Sequence, residues 1–169
     1  MARQKRIFFC RKNDTQRDKN AIFFYKTMPQ SETILRVFQK MQKPVKKIAL
    51  SAAVKPNLVD ARYRWYQEWD KWIQDGIIDF VIPMNYFPEI RDFNNSIQIM
   101  KSNLKSDDLS MVIMGVATYN QDAQSAADKI LLARLNGFQG ISVFSWDSHK
   151  NNLDWFQPVT EALGVPNFE

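Results

Sequence analysis

Four short apolar runs punctuate the chain: IALSAAV at 48–54, IIDFVIPM at 77–84, MVIMGV at 111–116 and GISVFS at 140–145. Continuous apolar runs of this length, bounded by polar residues, read as buried strands, whereas apolar positions recurring at three and four residues read as helices. The second pattern fills the intervals. Ser31 is a plausible N-cap with Glu32 in the first turn, and Ile34, Leu35, Phe38 and Met41 follow at helical spacing until Lys43-Pro44 ends the run. A helix is predicted over 59–74, with Tyr66, Trp69 and Ile73 on one stripe, Trp65 and Trp72 beside it, and Asp75-Gly76 as the stop. Phe93, Ile97 and Met100 mark a helix over 90–104. Ala126, Ile130 and Ala133 mark another over 122–135, closed by Asn136-Gly137. A last helix spans 152–163 and ends at Gly164. Residues 22–28 read as a helix remnant or an irregular leader before Pro29.

The strands begin at intervals of about 30 residues, which is the repeat of consecutive βαβ units. Strands of this kind form a parallel sheet covered on both faces. The expected fold class is therefore α/β, with four consecutive parallel βα units. With 169 residues the chain has room for one domain. A complete (β/α)8 barrel typically takes about 250. Residues 1–30 are expected to form a basic, partly irregular leader, and 31–169 the domain proper.

Composition narrows the function classes. The chain is 45% hydrophobic and 24% charged, which excludes wholesale disorder. Aromatic residues make up 13%, and so many rings need a core, an interface or a ligand groove. The net charge of +5 is concentrated in Arg3, Lys5, Arg6, Arg11, Lys12, Arg17 and Lys19, and again in Lys40, Lys43, Lys46 and Lys47. These clusters read as a solvated tail and a solvated helix end. Nucleic acid is the alternative partner, but no nucleic-acid-binding motif accompanies them. A steep salt dependence of binding, removed by deleting residues 1–20, would mark that alternative. Cys10 is the lone cysteine, so no intrachain disulfide is available. The apolar stretch at residues 7–10 is too short for a signal h-region, and no run reaches a membrane span. Neither a membrane anchor nor an export signal is expected, and the compartment stays open. One His and one Cys cannot build a usual zinc site, and glycine-rich phosphate loops and a G-x-S-x-G elbow are missing. No metal or cofactor is expected.

In parallel α/β folds functional groups gather at the carboxyl ends of strands. The positions so selected are Ser51, Ala52 and Ala53; Pro83, Met84, Asn85 and Tyr86; Thr118 and Tyr119; and Ser145, Trp146, Asp147 and Ser148. They are rich in Asn, Tyr and Trp. Flat rings stack on sugars, and amides and hydroxyls bond to sugar hydroxyls, so a carbohydrate-facing rim is chemically sensible. Asp147 is the sole carboxylate close to a strand end, with Glu89 in the loop after the second strand. Glycoside hydrolysis usually needs a pair. Structural readings stand beside these: Asn85 and Tyr86 as caps of the sheet, Trp146 as packing, Asp147 as a turn cap. His149 is expected at the surface, Trp65, Trp69 and Trp72 in a core or interface, and Asp79 orienting backbone at the opposite end of the sheet.

The strings LSAAVKPN, RWYQEWDKWIQDGIIDFVIPMNYF, GVATYN and LNGFQGISVFSWDS, in this order and spacing, resemble the glycosyl-hydrolase-like 10 family of bacterial TIM-barrel proteins. The resemblance covers about residues 45–148, most specifically the helix with Trp65, Tyr66, Trp69 and Trp72 running into DFVIPMNY. It implies that these elements form the second half of a (β/α)8 barrel. In the family the first half supplies acidic strand ends, and residues 1–30 are too short to hold it. The chain is thus expected to be a half-barrel: a fragment, a split gene product or a truncated relative. Family members are generally exported and similar to enzymes acting on glycosidic bonds, with cell-wall or other polysaccharide as substrate class.

On that basis Asn85, Tyr86, Tyr119, Ser145 and Trp146 would line a sugar groove, with Asp147 as hydroxyl partner or single acid. The isolated chain is expected to have little or no hydrolase activity, and a non-catalytic glycan- or protein-binding module is the alternative. Leu50, Val81, Ile113 and Val143 are expected on an inward sheet face lacking its opposite wall. Apolar exposure of that kind calls for a partner. A second copy or a separate N-terminal half would supply it.

Overall fold

The computed structural model describes residues 6–9, 21–24, 49–138 and 140–164. The helix expected over 31–43, Cys10 and the basic clusters other than Arg6 lie outside these residues.

The fold is mixed α/β, and every strand pairing is parallel. Six strands are present among the described residues: β1 (Arg6–Phe9), β2 (Ala21–Phe24), β3 (Ala49–Val54), β4 (Phe80–Pro83), β5 (Ile113–Ala117) and β6 (Gly140–Phe144). They form two three-stranded sheets, β2-β3-β4 and β1-β6-β5. Parallel bridges from Val81 to Val112 and from Met84 to Gly115 join the β4 and β5 edges. The strands therefore run β2-β3-β4-β5-β6-β1 across the molecule. The four runs expected as strands are β3 to β6, adjacent in chain order and joined by helices. β1 and β2 were not expected. β1 is Arg6 followed by three apolar residues and β2 is four apolar residues, both in a segment dense with cations and too short to show a period.

Helices α1 (Leu58–Trp65) and α2 (Trp69–Gln74) link β3 to β4. α3 (Ile90–Asn103) links β4 to β5, α4 (Ala123–Leu135) links β5 to β6, and α5 (Gln157–Leu163) follows β6. The helix expected over 59–74 is thus two helices. Tyr66 takes a left-handed conformation at φ 54° and ends α1, with Asn57 capping its start. The break has a purpose at the end of β3. Gln67 accepts the Lys55 N–H at 2.9 Å, and the Trp69 indole N–H donates to the Lys55 carbonyl at 3.0 Å. An unbroken helix would leave both backbone groups of Lys55 without these partners.

The sheet has two unlike faces. Leu50, Ala52, Val54, Val81, Met114, Val116, Ile141 and Val143 face the helices and meet Trp69, Trp72, Phe93, Ile97, Ile130 and Phe156 in one large core. The opposite face carries a small cluster of Phe80, Ile82 and Ile113 with Ala49 against it. Leu50, Val81 and Val143, expected on an inward face without a wall, are therefore part of the helix-covered core; Ile113 alone of the four lies opposite. Strand alternation and register put Ser51 beside Phe80 and Gly115 beside Ser142.

Gly115 permits the β4–β5 contact. A Cβ there would lie 2.5 Å from the Pro83 carbonyl oxygen. Asp79 orients backbone before β4, as expected: its carboxylate accepts the Leu50 N–H at 2.6 Å, and its own N–H donates to the Leu50 carbonyl. Trp69 and Trp72 are core residues, and Trp65 is half-buried beneath Lys55.

Candidate functional site

The carboxyl ends of β4, β5 and β6 gather three rings. Tyr86 stacks on Phe144 with centroids 5.5 Å apart and an interplanar angle of 11°. Tyr119 meets both edge-on, at 6.3 Å from Tyr86 and 6.1 Å from Phe144. Tyr119 remains 54% exposed. Three consecutive parallel strands each contribute one ring because each ends at the same level of the sheet. Tyr86 and Tyr119 are thus brought together as a pair. Phe144 was missed, although its place one residue before the end of the expected strand at 140–145 was a usable signal.

The other expected rim residues sit differently. Asn85 is 1% exposed and turns inward: its Nδ2 donates to the Phe93 carbonyl at 3.1 Å and contacts the Met114 sulfur. Asn85 thus supports the rim from behind, and its Oδ1 has no hydrogen-bond partner. Ser145 is buried, with its Oγ 3.1 Å from the Ser148 Oγ and its carbonyl accepting the Thr118 hydroxyl at 2.9 Å. Trp146 stacks on Phe156 at 4.9 Å and packs against the helix-side core, so one ring face is occupied. Asp147 is half-buried in the short 3-10 turn Trp146–Ser148. Glu89 is exposed at the N-cap of α3. Ser51, Ala52 and Ala53 lie within β3 rather than beyond it.

His149 differs from expectation. It is half-buried, stacks on Trp155 at 4.0 Å and 5°, and its Nε2 lies 2.9 Å from the Thr118 carbonyl. A carbonyl only accepts, so Nε2 carries the proton. The loops after β5 and β6 are joined by this bond and by the Thr118–Ser145 bond.

A second set of bonds joins the loops after β4 and β5. Asn120 donates to the Tyr86 carbonyl at 2.9 Å. Lys129 on α4 is 1% exposed, and its Nζ donates to the Pro88 carbonyl and to Gln121 Oε1. Gln121 in turn donates to the Ala117 carbonyl. Burial pulls the Lys129 ammonium below the ordinary lysine range, against the opposing pull of the Glu89 and Asp122 carboxylates. Asp122 caps α4; the Ser125 N–H and hydroxyl, each at 2.8 Å, hold its carboxyl below the usual range. Lys129 had a visible signal. Ala126, Lys129, Ile130 and Ala133 follow helical spacing, so the lysine occupies a core position of α4.

Among the described residues, no group of three or more His, Cys, Asp or Glu could hold a metal ion. Also among them, no helix is long and apolar enough to cross a membrane. Comparison of the chain with protein-family models and with curated proteins returns no match.

Proposed function

We propose that the chain is the C-terminal part of a glycoside-hydrolase-like (β/α)8 barrel and that it binds bacterial cell-wall or other polysaccharide at the carboxyl ends of its strands. The observation that carries this reading is the ring cluster of Tyr86, Tyr119 and Phe144, with Tyr119 open to solvent at the end of a parallel strand. An exposed ring in a rigid aromatic cluster is suited to stacking on a sugar. Ser145, Trp146 and Asp147 follow Phe144 on the loop after β6, where the Ser145 hydroxyl meets Ser148 and Phe156 covers one face of Trp146, so Tyr119 is the ring open for a sugar to stack on. Barrel ancestry is supported by the strand order, because β1 pairs with the last strand, β6, as the closing strand of a barrel does. The strands needed for closure would come from a second copy or from a separate N-terminal half.

Glu89, Asp122 and Asp147 each lie three residues beyond a ring of the cluster; Asp122 is committed to capping α4, Glu89 is exposed at the N-cap of α3, and Asp147 is half-buried in the turn after β6. With a single acid in place of a pair, the isolated chain binds glycan with little or no turnover. Incubation with soluble peptidoglycan fragments, read by calorimetry and by reducing-sugar release, tests this. Saturable binding without sugar release is the expected result, weakened by Trp146→Ala. Sugar release abolished by Asp147→Asn would overturn the non-catalytic part, and absence of binding would overturn the whole.

A further inference from the structure

Lys129 is the one described lysine that is buried, and nothing in the proposed binding reaction uses it directly. It belongs to α4, yet its ammonium reaches the loops on which the ring cluster stands. Pro88 is two residues beyond Tyr86, and Gln121 is two residues beyond Tyr119. Gln121 anchors the same loop to the end of β5 through the Ala117 carbonyl, and Asn120 bonds across to Tyr86. The charged groups acting on Lys129 are Glu89, at the start of α3, and Asp122, at the start of α4.

An ammonium taken out of water is costly unless hydrogen bonds replace its hydration. Methionine fills similar volume without that cost, so packing alone does not require a cation here. What methionine cannot do is bond two loops at once.

We propose that Lys129 is a positioning residue that locks the loops after β4 and β5 together and thereby fixes Tyr86 and Tyr119 as one preorganised platform. The inference rests on the glycan-binding reading only for its functional consequence; the locking itself is independent of any ligand. Preorganised rings spare a ligand the cost of ordering them, so releasing both lowers affinity about tenfold.

The test uses the full chain labelled with 3-fluorotyrosine and read by fluorine NMR, with Tyr63, 74% exposed on α1, as internal reference. In folded Lys129→Met the Tyr86 and Tyr119 signals shift toward those of free tyrosine, and Tyr63 does not move. Gln121→Met does the same, and it carries the test if Lys129→Met fails to fold. Unchanged Tyr86 and Tyr119 signals in a folded Met variant would overturn the proposal, as would a uniform change in all three tyrosines. If the wild type binds no peptidoglycan fragment, the binding reading falls while the NMR result still decides the role of Lys129.

Discussion

The two faces of the sheet differ in kind. Toward the helices, Leu50, Val81, Met114 and Ile141 meet Trp69, Phe93, Ile97 and Ile130 in a continuous core. On the other side Phe80, Ile82 and Ile113 form a small cluster, and the neighbouring register positions hold Ser51, Gly115 and Ser142. The helix-side face carries the apolar burial that stabilises a domain, since each fully buried large side chain contributes roughly 1.5–3 kcal/mol. The other face is also buried, but its apolar cluster is small, and it sets how closely β4 and β5 approach, and so where their loops and rings stand. Stability and site geometry are thus divided between the faces.

The sharpest way to break this comparison is to truncate one phenylalanine on each face. Phe93→Ala removes a fully buried ring from the large core and should cost about 3–5 kcal/mol in denaturant unfolding. Phe80→Ala, in the small cluster, should cost less than half as much. Equal losses would show that the faces share the load.

A smaller effect is expected at Gly115. Adding a methyl group against the Pro83 carbonyl should cost about 1–3 kcal/mol, and it would also press on Tyr86, 3.3 Å from the added carbon. Gly115→Ala should therefore shift the rim tyrosines as well as the unfolding midpoint. A shift in the midpoint alone would separate strand spacing from the rim.

The next effect is a pH dependence. Lys129 binds its proton less tightly when folded than when unfolded. The unfolded chain holds more protons between the lowered folded value and the ordinary lysine value, so stability rises with pH across that window. The stability difference between wild type and Lys129→Met should move in favour of wild type as pH is raised there. A pH-independent difference would contradict the burial of a charged lysine.

Asp122 gives the smallest effect, with the same sign but in the acid range. Its lowered carboxyl stabilises the start of α4 above the ordinary carboxylate value, and that stabilisation is lost as pH falls through the folded value. Asp122→Ala should fray the first turn of α4, seen as faster amide exchange at Ser125, and should abolish that acid dependence.

Much of this was legible in the amino-acid order. β3 to β6 are continuous apolar runs between charged segments, and the caps at Asp122, Gly137 and Gly164 carry their own chemistry. Tyr86 and Tyr119 could be placed together because the strand-end rule needs no side-chain contact. Other features were hidden for physical reasons. A run apolar on both faces does not say which residues meet the helices, so Leu50 and Val143 were assigned to the wrong side. The interruption at Tyr66 was hidden because Trp69 and Ile73 are core residues on either account, although Tyr66, expected on the same stripe, is exposed. His149 lies in a polar run, and its stacking on Trp155 follows from a turn that no periodicity describes.

The most direct test of the central claim compares two exposed tyrosines. Tyr119 stands in the ring cluster at the strand ends, and Tyr63 stands on α1. Titration of soluble peptidoglycan fragments into wild type, Tyr119→Ala and Tyr63→Ala, followed by calorimetry, separates a sugar platform from general aromatic stickiness. The account predicts saturable binding that Tyr119→Ala loses and Tyr63→Ala keeps. Binding that survives in Tyr119→Ala, or falls equally in both variants, would contradict it.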